Sequence, residues 1–69
     1  MNTDVKNILA KNIKKLREAK SMKREELALA LGFDNSYISK LEKAKMNITI
    51  DRLAKIADYF GIKFIDLFK

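Results

Sequence analysis

The sequence predicts an all-α fold of five short helices in one domain, residues 1–69. Apolar residues recur at spacings of three and four, as an amphipathic helix requires. Each of the two glycines follows such a stripe directly, where a helix ends in a left-handed residue. No proline, linker, repeat or low-complexity tract divides the chain. So short a chain buries only about 60% of the surface its unfolded form exposes. Its core must therefore be simple and well packed.

The first helix is expected from about Thr3 to Lys20, with Val5, Ile8, Leu9, Ile13 and Leu16 as its apolar stripe and Lys11, Lys14 and Lys15 outside. A second runs from about Arg24 to Leu31, with Leu27, Ala28 and Leu31 inward; Gly32 stops it and Phe33 plugs the turn. Asp34 can cap the third helix, because a carboxylate accepts from the free N–H groups of the first turn. At about 100° per residue, Ile38, Leu41 and Glu42 share its inward face, and Ser36, Ser39, Lys40 and Lys43 point away. Thr49 caps a fourth helix with Ile50, Leu53, Ile56, Ala57 and Phe60 as its stripe, ending at Gly61. Phe64 to Phe68 form a last short turn.

Without cysteine or histidine, the chain has neither disulfides nor the usual zinc ligands to staple it. It also lacks a glycine-rich phosphate loop and clustered carboxylates, so an enzyme is not expected, and no cofactor is implied. No stretch reaches the roughly 18 apolar residues of a membrane span, and nothing resembles a signal peptide. The expected location is the cytoplasm. A net charge of +6 suggests a polyanionic partner. That charge is unevenly spread, with six positive and two negative residues in 1–22, five and four in 23–47, and four and three in 48–69.

Two short helices joined by a turn containing glycine let the second helix enter a major groove. Here the small Ala28 allows the third helix to cross closely over the second, and the exposed face left behind is short, polar and cationic. The segment concerned runs from about Lys23 to Lys45. The sequence resembles the Cro and phage-repressor type of helix-turn-helix protein, also called the xenobiotic-response-element family. The likeness runs through Ile13-Lys14-Lys15-Leu16-Arg17-Glu18, Glu25-Glu26-Leu27-Ala28, Leu31-Gly32, Tyr37-Ile38-Ser39-Lys40-Leu41-Glu42, Leu53-Ala54-Lys55-Ile56-Ala57 and Phe60-Gly61-Ile62. Asp34 to Ser39, with Asn47-Ile48-Thr49-Ile50, looks most like the controller proteins of restriction–modification systems.

This resemblance implies a lambda-repressor-like DNA-binding domain, a transcription regulator that acts as repressor or activator. It implies that Asn35, Ser36, Tyr37, Ser39 and Lys40 lie nearest the bases, with a reading helix over about residues 35–43. Lys43, Lys45 and Asn47 would lie toward the phosphates. The chemistry suits those roles, since Asn pairs with adenine, Lys donates to guanine O6 and N7, and Ser takes either part. Arg24 stands where the family usually has a glutamine that touches phosphate and braces the reading helix, and arginine can reach a phosphate too. Lys23 replaces the usual Ser or Thr cap, a loss of about 1 kcal/mol. Ser21 and Ala44 occupy helix ends where the family favours glycine; if left-handed there, each carries strain of order 1 kcal/mol. Arg17 and Glu42 correspond to a pair linking the first and third helices, a reading supported by Glu42 sharing the face of Ile38.

Phe64, Ile65, Leu67 and Phe68 are four large apolar residues among the last six, too many for a short turn to bury in its own subunit. Residues from about 59 to 69 are therefore expected to form a homodimer seam, with Tyr59, Phe64, Ile65 and Phe68 at the interface and Leu67 inward. The partners implied are double-stranded DNA, a second copy of the chain and, for a regulator, RNA polymerase; no membrane or small-molecule ligand is implied. A rival class is a protein-interaction module, antitoxin-like or anti-regulator, that keeps the same fold. Steep loss of duplex affinity with salt would separate the regulator from it.

Overall fold

In the computed structural model, which describes residues 3–69, four α-helices lead to a closing 3₁₀ turn. They are α1 (Thr3–Ala19), α2 (Arg24–Leu31), α3 (Asn35–Glu42) and α4 (Ile50–Phe60), and the turn spans Phe64–Phe68. The expected fifth helix is thus a 3₁₀ turn. Its i→i+3 bonding begins at Lys63, whose carbonyl accepts from the Asp66 N–H at 3.0 Å, and five residues are too few to propagate an α-helix.

One core joins every element. Leu9 and Ile13 of α1 meet Leu27, Ala28 and Leu31 of α2, Tyr37, Ile38 and Leu41 of α3, Leu53, Ile56 and Ala57 of α4, and Leu67 of the turn. The small Ala28 is fully buried where α2 and α3 pack. The closing turn lies against both α1 and α4, and Asn12 Nδ2 donates to the Leu67 carbonyl at 2.8 Å. Two stripe residues are exposed rather than packed. Ile8 is 42% exposed at the edge of α1, and Ile50, expected inward, is 73% exposed. Ile50 lines up in angle with Leu53 and Ala57, but it opens α4 and stays exposed, while Leu53 in the same turn is buried.

All four α-helices stop in the same way. The N–H of the residue after the cap reaches back to close a ring, as in Met22 to Arg17, Phe33 to Ala28, Lys45 to Lys40 and Ile62 to Ala57, at 2.8 to 3.2 Å. The left-handed position in these motifs is glycine at 32 and 61, but Ser21 (φ 55°) and Ala44 (φ 58°) at the other two. Both non-glycine residues therefore carry strain of about 1 kcal/mol from the crowding of Cβ by the following carbonyl.

Helix starts also vary in their chemistry. Thr49 Oγ1 accepts from the Arg52 N–H at 3.2 Å, as expected of a cap. Asp34 occupies the cap position of α3, but its carboxylate accepts no capping hydrogen bond, contrary to expectation. Lys23 has no side-chain acceptor, yet Glu26 Oε1 accepts from its backbone N–H at 2.9 Å. Half of a capping box therefore offsets part of the missing Ser or Thr.

Candidate nucleic-acid interface

Helix α3 is short, and what holds it in place comes from its neighbours. Arg17 follows Leu9 and Ile13 at steps of four, so the buried stripe of α1 ends in a guanidinium. That guanidinium meets Glu42, at the end of α3, in a two-point pairing: Nε donates to Oε2 at 2.6 Å and Nη2 to Oε1 at 3.0 Å. Nη1 donates to the Met22 carbonyl at 2.6 Å, fixing the α1–α2 connection. Arg24, opening α2, adds a third strand to the knot by donating from Nε to Glu42 Oε1 at 3.2 Å. The Glu42 side chain is 2% accessible, so three helices converge on one buried carboxylate. Its hydrogen bond raises the Arg17 pKa further above the ordinary arginine value, against the opposing effect of burial.

The exposed side of α3 carries Asn35, Ser36 and Lys40, with Ser39 half-buried beside them. Lys43, Lys45 and Asn47 stand exposed after the helix. Arg24, which opens α2, keeps its side chain 45% accessible while its Nε donates to Glu42.

Tyr37 is placed differently from the sequence expectation. It is 9% exposed, and its ring packs edge-on against Phe33 with centroids 5.0 Å apart. The first turn of α3 must cover the α2–α3 corner, and an aromatic ring does so better than the short polar residues beside it. The hydroxyl is buried with no protein partner within hydrogen-bond distance. Tyr37 therefore belongs to the core of the corner rather than to the exposed reading face.

Arg52 and Lys55 of α4 were not singled out by the sequence. Arg52 lies over the Tyr37 and Phe33 rings, 4.6 and 5.1 Å from their centroids, and the Lys55 ammonium lies 5.5 Å from that of Phe33. The only signal was their i,i+3 spacing on the outer side of α4.

Of the residues expected at the dimer seam, Tyr59, Phe64 and Ile65 are 39%, 38% and 57% exposed. Phe68 is half-buried, packed against the core and tilted against Phe64 at 5.4 Å, while Leu67 is fully enclosed. Tyr59 is steadied by its hydroxyl on Met22 Sδ at 3.7 Å and by Lys20 over its ring at 5.6 Å.

Known proteins share this arrangement. Residues 13–67 match the HTH_3 helix-turn-helix family. The chain is 30% identical over 64 residues to the HTH-type transcriptional regulator y4dJ of Sinorhizobium fredii, covering 93% of this chain and 83% of that one. It is 33% identical over 66 residues to the control protein C.MunI of a Mycoplasma species, covering 94% of this chain and 89% of that one. The crystal structure of the restriction–modification controller protein C.AhdI from Aeromonas hydrophila matches with a TM-score of 0.84 at 28% identity, covering 91% of this chain and 96% of that one. With most of its length matched by the family and its relatives regulators rather than enzymes, the chain belongs to the HTH_3, Cro/C1-type family of helix-turn-helix transcriptional regulators.

Proposed function

We propose that this regulator binds an inverted-repeat DNA operator as a homodimer, with α3 of each subunit in the major groove. The observation that carries the reading is the mounting of α3. Its far end is anchored on the buried Glu42 by two arginines from two other helices, while Asn35, Ser36 and Lys40 project from its exposed side. A rigid polar helix of that kind is what base-edge readout needs, because a misplaced donor loses its partner. Arg24, Lys43, Lys45 and Asn47 flank the helix and supply the sequence-independent contacts to phosphate. The likeness to C.MunI and C.AhdI favours a controller of a restriction–modification system among the possible regulators.

The test is selection of binding sites from random duplexes, run on the parent, Ser36→Ala and Lys40→Ala. The parent should return an inverted repeat. Each variant should lose about 1 to 3 kcal/mol on that site and relax preference at one position per half-site. A parental consensus at full strength from both variants would remove these residues from the reading role. A parent that enriches no sequence would overturn the function itself.

A further inference from the structure

We propose that Arg52 and Lys55 grip a DNA backbone phosphate beside the opening turn of α3, on a platform made by Phe33 and Tyr37; this rests on the DNA-binding reading above. The Arg52 guanidinium lies 4.6 Å from the Tyr37 ring centroid and 5.1 Å from that of Phe33. Lys55 reaches the same corner, its ammonium 5.5 Å from the Phe33 centroid and 3.8 Å from where a Cβ at Gly32 would stand. Both side chains belong to exposed residues, and among the described residues neither has a carboxylate within ion-pair distance. Asp34, next to Phe33, is exposed but outside that distance as well.

That combination separates this pair from the other tethered arginines. Arg17 and Arg24 are held by Glu42 and share its negative charge. A ring face attracts a cation without neutralising it. Arg52 is thus oriented while its positive charge stays uncompensated, and a backbone phosphate, with two non-bridging oxygens, is a two-point acceptor that suits it.

The location supplies the ligand's identity. Tyr37 lies on the first turn of α3, directly after Asn35 and Ser36. A guanidinium stacked on it stands within about 10 Å, one helix diameter, of the opening of the reading helix. The major groove is about 12 Å wide and walled by phosphates. When the opening turn enters the groove, cations at that distance meet the wall. They would hold the opening end of α3, as Lys43 and Lys45 hold the far end.

The experiment measures affinity for a short DNA duplex against salt concentration, for the parent, Arg52→Gln, Lys55→Gln, the double variant and Arg52→Lys, with thermal melting of each by circular dichroism. Each neutral substitution should flatten the log–log slope by about 0.9, so that raising salt from about 50 to 200 mM weakens binding about threefold less than in the parent. Arg52→Lys should keep the parental slope, and the selected base consensus should stay unchanged in all variants. Single methylphosphonates placed along the duplex should find a phosphate whose neutralisation weakens the parent but not the double variant. A double variant that melts like the parent and keeps its full slope overturns this proposal and leaves the DNA reading standing. A parent that binds no duplex at all overturns both. Should Arg52→Gln fail to fold, Lys55→Gln and Arg52→Lys still decide the matter, because both leave a side chain of similar length over the turn.

Discussion

Burying the Tyr37 ring against Phe33 removes apolar surface from water, while its hydroxyl gives up water and meets no protein partner. The first effect stabilises by about 1.5 to 3 kcal/mol. An unsatisfied buried hydroxyl takes back about 1 to 3 kcal/mol. The two nearly cancel, so Tyr37→Phe, which keeps the ring and drops the hydroxyl, should be neutral or stabilising by up to about 1 kcal/mol. In a domain this small that gain raises the melting temperature by up to about 4 to 8 °C. The selected DNA sequence should stay as in the parent, since a residue 9% exposed has little surface to offer a base. A variant that melts clearly lower, or that loses preference at one base pair, would restore Tyr37 to the reading set. The sequence already sets Tyr37 apart from Ser36 and Ser39, because it is aromatic, stands four residues before the inward Leu41, and its ring could pack sideways onto the second helix; what the angle does not give is how fully the neighbouring elements cover it.

Several helix termini and part of the α1 stripe were legible in the sequence for a shared reason: each depends on residues close in the chain. Gly32 and Gly61 mark left-handed stops, Thr49 marks a cap, and Leu9 and Ile13 mark the buried side of α1, whereas the Asp34 cap did not form, Ile8 is exposed, and the Arg17 pairing came from the family resemblance. Features that depend on a distant element were harder to read. Ile50 fits its stripe in angle yet overhangs the fold, and Arg24 finds Glu42 from eighteen positions away. The left-handed Ser21 and Ala44 fall between these cases, since each spot was identifiable but its conformation was not. At this scale the tie on Glu42 is the decisive contact. Glu42→Ala leaves the buried Arg17 without its counter-charge and should cost about 3 to 5 kcal/mol. Natural domains hold only about 0.05 to 0.15 kcal/mol per residue in total, so urea denaturation should show the variant stripped of a third or more of its stability. Arg24→Ala, whose side chain is 45% accessible, should lose under about 1 kcal/mol. Joint replacement by Arg17→Met and Glu42→Leu should restore much of the stability, as apolar substitutes for buried ion pairs often do. It should still bind DNA more weakly, because an apolar contact lacks the directional pairing that orients α3. Full affinity in that double variant would assign the pair to stability alone. Since pairing raises the Arg17 pKa, its contribution is present at every pH below the ordinary arginine value and is lost only as pH rises through the higher folded value, so it gives no pH dependence through the neutral range.

For the whole molecule, the question is what covers Tyr59, Phe64 and Ile65. Within the subunit all three stay open to solvent, Ile65 most of all at 57% exposed. Leu67 already fills the space beneath, and Asn12 pins the turn through the Leu67 carbonyl. A cluster of exposed large apolar side chains on a small soluble domain commonly marks an interface, and two-fold pairs are the commonest assemblies. An operator with inverted half-sites asks for two α3 helices about one DNA turn apart, roughly 34 Å, the spacing of successive major grooves on one face of the duplex. Pairing through the C-terminal end leaves both α3 helices free. Ile65 is the best probe because it is 57% exposed and can change without opening the core, whereas Phe68 packs inward and its replacement also strains the monomer. In sedimentation equilibrium at micromolar concentration, the parent should therefore run at twice the 8.0 kDa subunit mass. Ile65→Asp should run as a monomer with an unchanged helical spectrum, and its affinity for the inverted repeat should fall toward that for a single half-site. Phe68→Asp should also dissociate, but with a lowered melting temperature that reports its second role. If the parent sediments at the mass of one chain, both free and on a selected site without inverted symmetry, the apolar end serves another partner and the dimer is wrong.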